Sequence, residues 1–306
     1  MSFVAIISRP RAIASVLPSD RLLWGALAAI AAIVPPWEHL VAVDVTGVAQ
    51  TLAIVAALLS LRAGYVLLRP DAQIIHTLLE NGAGIIAYTA ILAPVSYVCA
   101  RNSLPLFNDA FQAADLALGY DWHFWADFEN GVPALSLVLR TAYASILPQT
   151  VLVLTLLPVI GDGQRGFSFI RASLIAAIVA CAGSYAMPAA MPEAVDTAWY
   201  GHWSELRTTA PFSVSLSEME GIITFPSFHA AVAVLLLHAV RGLGIVTVVF
   251  GIAEILMLIS TTTYGHHYFC DVLAGIAVAV GAIWLTFHLD RRFPATRPTD
   301  RGVWMM

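Results

Sequence analysis

The sequence predicts an all-α fold: a polytopic integral membrane helical bundle with about eight transmembrane helices, in a range of six to eight. Three observations carry this. Of 306 residues, 59% are apolar and only 11% charged, and the mean hydropathy is +0.80. Soluble domains run nearer 45–50% apolar and about 25% charged, and so few charges could not cover a soluble globule of this length. Apolar runs of about 20 residues, the length that crosses a bilayer, recur along the chain. The few charges are also sorted between alternate connecting segments. A cytosolic enzyme, a disordered chain and a nucleic-acid binder are excluded.

The candidate spans cover 22–42, 47–68, 82–100, 133–157, 169–188, 226–240, 243–262 and 267–288. Pro35–Pro36 falls inside the first and is a natural end for it. The sixth is short. The amino-terminal MSFVAIIS is brief and is followed, not preceded, by basic residues, so the first span reads as an uncleaved anchor. Segment 104–130 is no span. Leu106, Phe107, Ala110, Phe111 and Ala114 form a helical apolar stripe, and Trp122, Phe124 and Trp125 follow. It reads as an amphipathic helix in the interface with an aromatic anchor; a lid over a lipid-facing site is the functional alternative.

Charge sets the topology. With the amino terminus inside, inner segments hold Arg9, Arg11, Arg21, Arg62, Arg69, Arg165, Arg171, Arg241, Arg291, Arg292, Arg297 and Arg301, which is 12 of the 15 cations. Only Arg101, Arg140 and Arg207 fall toward the outside. This positive-inside bias places both termini in the cytoplasm. The long outer loops carry Asp109, Asp115, Asp121, Asp127 and Glu129, then Glu193, Asp196, Glu205, Glu218 and Glu220. All 15 cations are arginine, so chemistry that needs a lysine is excluded. Cys99, Cys181 and Cys270 lack metal or disulfide-framework spacing and read as small packing residues.

Ionisable groups at membrane depth are costly and usually functional. Two clusters fall at the same outer face. The first, Phe225 to His229 (FPSFH), opens span six; Pro226 suits a first helical turn, and Ser227 with the free amides there offers an anion site. The second, Ser260 to Gly275, contains His267 and Asp271, four residues apart and so on one helical face. A carboxylate beside an imidazole fixes its tautomer and supports positive charge on it. Together they suggest covalent phosphoryl transfer, in which His267 attacks phosphorus, Asp271 orients it and His229 protonates the leaving oxygen.

These residues resemble the type-2 phosphatidic acid phosphatase superfamily, whose signature is KxxxxxxRP, PSGH and SRxxxxxHxxxD. The second part matches Pro226-Ser227-Phe228-His229. The third matches Ser260, Thr261, five residues, His267, three residues and Asp271. The resemblance implies a six-helix catalytic core within 81–290, preceded by two helices in 1–80 and followed by a cytoplasmic tail, 291–306. It also implies a metal-independent reaction without cofactor, through a phosphohistidine, on a membrane lipid. Phe228 in place of glycine and Thr261 in place of the phosphate-binding arginine resemble the inositolphosphotransferase branch, which includes inositol phosphorylceramide synthases. That branch passes a phospho-headgroup to a lipid hydroxyl, so the expectation leans to transferase, with hydrolysis to free phosphate as the alternative.

Arg62, six residues, Arg69 and Pro70 imitate the first motif but fall on the opposite face and too early in the chain. Arg207, before PSFH, and Arg140, within span four, are the candidate phosphate donors, with Arg101 behind them. Ser227, Ser260, His266 and Tyr143 complete the expected substrate-binding set, and Gln149 is a weaker member. Glu254 in span seven is unusual at that depth and reads as protonated, paired or part of a proton relay. No metal-ligating motif appears. A transporter would call for an inverted repeat, and none is visible. The expected setting is a bacterial inner membrane with the site facing outward.

Overall fold

Hydrocarbon offers the backbone no water, so a spanning segment must satisfy its own amides and carbonyls, and each apolar run folds as helix. The computed structural model describes residues 19–190 and 198–293. Readings that rest on Arg9, Arg11, Glu193, Asp196, Arg297 and Arg301 lie outside the described residues.

Helix α1 (Arg21–Val41) starts at Asp20, whose carboxylate accepts from the Leu23 amide at 3.0 Å. It runs through Pro35 and Pro36 rather than ending there. Strand β1 (Val43–Thr46) and α2 (Val48–Leu68) follow. Helix α3 (Gln73–Ala100) begins well before the apolar run at 82. Its first turns hold His76, Glu80 and Asn81, polar but buried, and a hydropathy reading stops at them. Arg62 pairs with Glu80 at 2.7 Å, and Asn81 donates to the Leu154 carbonyl at 3.2 Å.

The 104–130 segment folds as α4 (Asn108–Ala117) and α5 (Trp122–Asn130). The expected fourth span is two helices, α6 (Pro133–Ala144) and α7 (Ile146–Val159), bent by 48° at Ser145. Pro148 supplies the cause, because it lacks the amide that would bond to Ala144 and its ring crowds that carbonyl. Helix α8 (Gly163–Ala186) and α9 (Ala198–Leu206) precede β2 (Phe212–Ser215). The chain ends with α10 (Phe228–Ala239), α11 (Ile245–Thr263) and α12 (Phe269–Arg292).

Every apolar run is therefore helical. Among the described residues six helices (α1, α2, α3, α8, α11, α12) are long and apolar enough to cross a membrane, or seven spans with the bent α6–α7 pair. The expected sixth span falls short. At 12 residues α10 reaches only about 18 Å, against a hydrocarbon core of about 30 Å. Helices α3, α8, α10 and α12 form the centre, where Ala87, Ile170, Ala176, Leu236 and Ala279 are buried. Helices α1 and α2 lean on α3 and expose Ile33, Ile54, Leu61 and Leu68 on their outer faces.

The polar groups gather at two ends. At one, Arg171 bridges Asp20 and Asp290, and the Ser168 hydroxyl donates to Asp290 at 2.7 Å. The other end holds β1, α4, α5, β2 and the α11–α12 connection. There β1 pairs with β2 in parallel, from Val43 opposite Phe212 to Thr46 opposite Ser215. Strands of four residues gave no periodicity to read, and this pair was not expected. It ties the α1–α2 turn to the segment that leads into FPSFH.

The approach of α10 to α12 depends on Gly275, where a Cβ would overlap the Ser227 carbonyl oxygen and crowd Ala230. Gly281, on the same helix, has open space around it. Gly275→Val should cost about 1–3 kcal/mol through overpacking, read as a lower midpoint of thermal unfolding in detergent. Gly281→Val should leave the midpoint near wild type, and equal effects would contradict the packing described.

Candidate active site

The α11–α12 connection is wound tightly enough to place a histidine beside a helix start. The Gly265 amide donates to the Ser260 carbonyl at 2.9 Å, and the His267 amide to the Thr261 carbonyl at 3.2 Å. His266 takes a positive φ of 52° between them, a strained value for a non-glycine residue of the kind that collects at functional sites. His267 emerges buried, with Nδ1 3.3 Å from Asp271 Oδ2. The same carboxylate oxygen accepts from the Tyr268 amide at 3.2 Å, which caps α12. Burial moves the His267 imidazole toward its neutral form, below its ordinary pKa. Nδ1 faces Asp271, and the imidazole also bonds to the Thr224 backbone.

The FPSFH cluster meets this turn through one backbone bond, from the Ser227 amide to the Asp271 carbonyl at 3.0 Å. His229 lies in the first turn of α10. Its Nδ1 is 3.4 Å from the Tyr143 hydroxyl, and the two rings stack with centroids 4.4 Å apart. His229, His267, His266, Tyr143, Tyr264 and Thr224 line one cavity of about 320 Å³, with Glu220 at its edge. The expected trio is therefore brought together, and Tyr143 and His266 join it. The His266 ring lies beside Trp122, 5.9 Å between centroids.

Other expected members are placed elsewhere. Ser227 is fully buried as the N-cap of α10, its hydroxyl accepting from the Ala230 amide at 3.3 Å. Pro226 consequently precedes the helix instead of opening its first turn. Ser260 is also fully buried, and its hydroxyl donates to the Met257 carbonyl at 2.8 Å. A hydroxyl on an apolar helix without water takes such a bond to the preceding turn. Thr261 does the same. Arg207 lies outside the cavity wall; it donates to Asn102 Oδ1 at 3.2 Å and the Leu104 carbonyl at 2.7 Å, and lies over Trp203. Arg101 donates to the Ala210 carbonyl. Arg140 is closer: its guanidinium lies 5.8 Å from the centre of the Tyr264 ring, one of the cavity walls.

Gln149 donates to Ser145 at the bend. Glu254 is buried on α11, and neither carboxyl oxygen has a hydrogen-bond partner among the described residues. Arg62, the rejected first-motif residue, serves the pair with Glu80 far from this cavity. Among the described residues no three His, Cys, Asp or Glu side chains come together as a group able to hold a metal.

Sequence reasoning missed Asp115, which it counted only as outer-loop charge. Asp115 is buried, and its two oxygens accept from the Phe269 and Cys270 amides at 2.7 and 2.8 Å. Carboxylates thus satisfy the Tyr268, Phe269 and Cys270 amides that open α12. Helices α4 and α5 cover this region. Phe111 stacks on Phe225 at 4.8 Å and meets Tyr268 edge-on, Tyr120 stacks on Phe269 at 5.0 Å, and Trp122 Nε1 donates to the Thr262 carbonyl at 2.8 Å. Of the expected aromatic anchor, Phe124 and Trp125 are exposed, as is Phe128, whereas Trp122 is buried, its indole held by the Thr262 carbonyl.

The sequence profile of the PAP2 superfamily matches residues 109–285. That is more than half of the chain, and it includes every residue that lines the cavity, from Tyr143 to His267, together with Asp115 and Asp271. The chain belongs to the PAP2 superfamily. Helices α1 to α3 precede the matched region. No curated protein and no solved structure matches the chain. Membership brings with it phosphoester chemistry of the phosphatase and phosphotransferase type, and His229 and His267 line the cavity at one end of the membrane bundle.

Asp115→Ala should strip a partner from two buried amides, at about 1–3 kcal/mol for unsatisfied groups. Turnover in purified protein should fall and the unfolding midpoint should drop. Asp109→Ala, exposed on the same helix, should change neither, and matching effects would remove Asp115 from the site's support.

Proposed function

We propose that this PAP2 protein is an integral membrane phosphotransferase of the inositolphosphotransferase type, which moves a phospho-headgroup between lipids through a phosphohistidine. The observation that carries the reading is the shared cavity: His267, backed by Asp271, and His229 line one space. In the first half-reaction His267 Nε2 forms a bond to phosphorus as the bond from phosphorus to the leaving oxygen breaks. His229 gives that oxygen its proton. Asp271 holds the imidazolium that results. In the second half-reaction His229 takes the proton of an acceptor hydroxyl, whose oxygen displaces His267 from phosphorus.

The cavity wall supports transfer over a phosphate-clamping hydrolase. Tyr143, Tyr264 and Thr224 line it, while Thr261, where the superfamily's signature has arginine, is turned into its own helix. Arg140 is the cation nearest the wall and would meet a headgroup over the Tyr264 ring; Arg207 supports the loop. The reaction is metal-independent and uses no cofactor in this reading. The substrate lipid enters from the bilayer, and the site faces the periplasm of a bacterial inner membrane, both chain ends being cytoplasmic. Residues 1–80 act as a support for the catalytic unit in 81–290.

Purified protein in vesicles that contain a labelled phospho-headgroup lipid and a hydroxyl-bearing lipid should yield a new headgroup lipid by mass spectrometry. Release of inorganic phosphate with no new lipid would make the protein a hydrolase. His229→Ala and His267→Ala should each lose turnover by at least about 10²–10⁴-fold, and full turnover in either would sink the mechanism. Arg140→Gln should raise KM several-fold, and Arg207→Gln should not.

A further inference from the structure

The end of the bundle opposite the PAP2 cavity contains a larger cleft, about 590 Å³, between α8, α10 and α12. Its walls are apolar. Phe169 and Leu235 lie deep, and Val280, Trp284 and Phe287 are more than half exposed along the lipid-facing side of α12. Its rim carries Arg165 and Arg241 beside Asp162 and Asp290, and these charges are unevenly paired. Arg165 is held by Asp162 at 2.7 Å, and Asp290 is taken by Arg171. Arg241 lines the rim and gives one bond, to the His238 carbonyl at 2.6 Å. Arg291 lies over the Phe287 ring, 5.6 Å from its centre. Neither Arg241 nor Arg291 has a carboxylate within ion-pair distance among the described residues.

We propose that this cleft is a binding site for an anionic phospholipid. Its phosphate sits between Arg241 and Arg291, and one acyl chain lies along Val280, Trp284 and Phe287. The two guanidinium groups without anionic partners select the charge. The apolar wall that opens sideways to the bilayer selects a lipid over a soluble phosphate. Basic pockets between helices at a membrane surface bind anionic headgroups on this principle. The site is separate from the PAP2 cavity, and the inference does not depend on the transferase reading.

The test uses the purified full chain in nanodiscs of phosphatidylcholine with a minority of phosphatidylglycerol, followed by native mass spectrometry of the lipids that remain bound. Wild type should retain phosphatidylglycerol over phosphatidylcholine by about tenfold or more. Arg241→Gln with Arg291→Gln should lose that preference while its unfolding midpoint in pure phosphatidylcholine is unchanged. Arg69→Gln, which removes an exposed arginine just past the end of α2, should keep it. Added inorganic phosphate should not displace the bound lipid. Equal retention of the two lipids, an unaffected double variant, a matching loss in Arg69→Gln, or displacement by phosphate would each overturn the proposal.

Discussion

Asp271 is the residue on which the arrangement turns. Its side chain holds His267 at 3.3 Å and caps α12 through the Tyr268 amide. Its carbonyl accepts from Ser227, so the FPSFH segment is fixed to the same turn. A carboxylate this deeply buried is costly unless its oxygens find donors, and the donors it finds are the groups the chemistry needs in register. Gly275, one turn further along α12, lets Ser227 approach closely enough for that bond. Asp115 then satisfies the next two amides from outside, which holds α4 over the site.

The same requirement explains why the molecule has two polar ends and an apolar middle. At the end away from the histidines, charged groups that cannot reach water pair with each other. Arg171 joins Asp20 to Asp290 and so fastens α1, α8 and α12 together. Arg62 with Glu80 fastens α2 to α3. Those pairs hold the bundle at the end away from the histidines, which leaves the other end free to form a cavity. The short α10 fits this division. It starts at the histidine-lined cavity and ends beside the second cleft, so one 12-residue helix contributes His229 to one and Leu235 and His238 to the other.

Composition and periodicity made the helical membrane class legible, because hydrocarbon leaves the backbone little choice. Helix ends were less so. Polar but buried Glu80 and Asn81 hid the start of α3, and Pro148 split one expected span in two. His229, His267 and Asp271 stood out by residue type and spacing, and the structure places the two histidines on one cavity with Asp271 against His267. The supporting residues did not stand out. Asp115 is one acid among many in an acidic loop, and only the fold shows its oxygens on α12. Ser227 and Ser260 looked like ligand donors, yet in dry surroundings their hydroxyls bond to their own helices. Arg207 was placed by loop position, and the loop uses it internally. Tyr143 carried no motif, though its ring against His229 marks it as part of the site.

The central claim is that His267 becomes covalently phosphorylated, with Asp271 supporting it and His229 serving the leaving group. The most direct measurement is rapid quenching of the purified protein with a lipid labelled at phosphorus, followed by peptide mapping under alkaline conditions that preserve phosphohistidine. The account predicts acid-labile label on His267 and no label in His267→Ala. Label on a different residue, or undiminished turnover by His267→Ala, would contradict it.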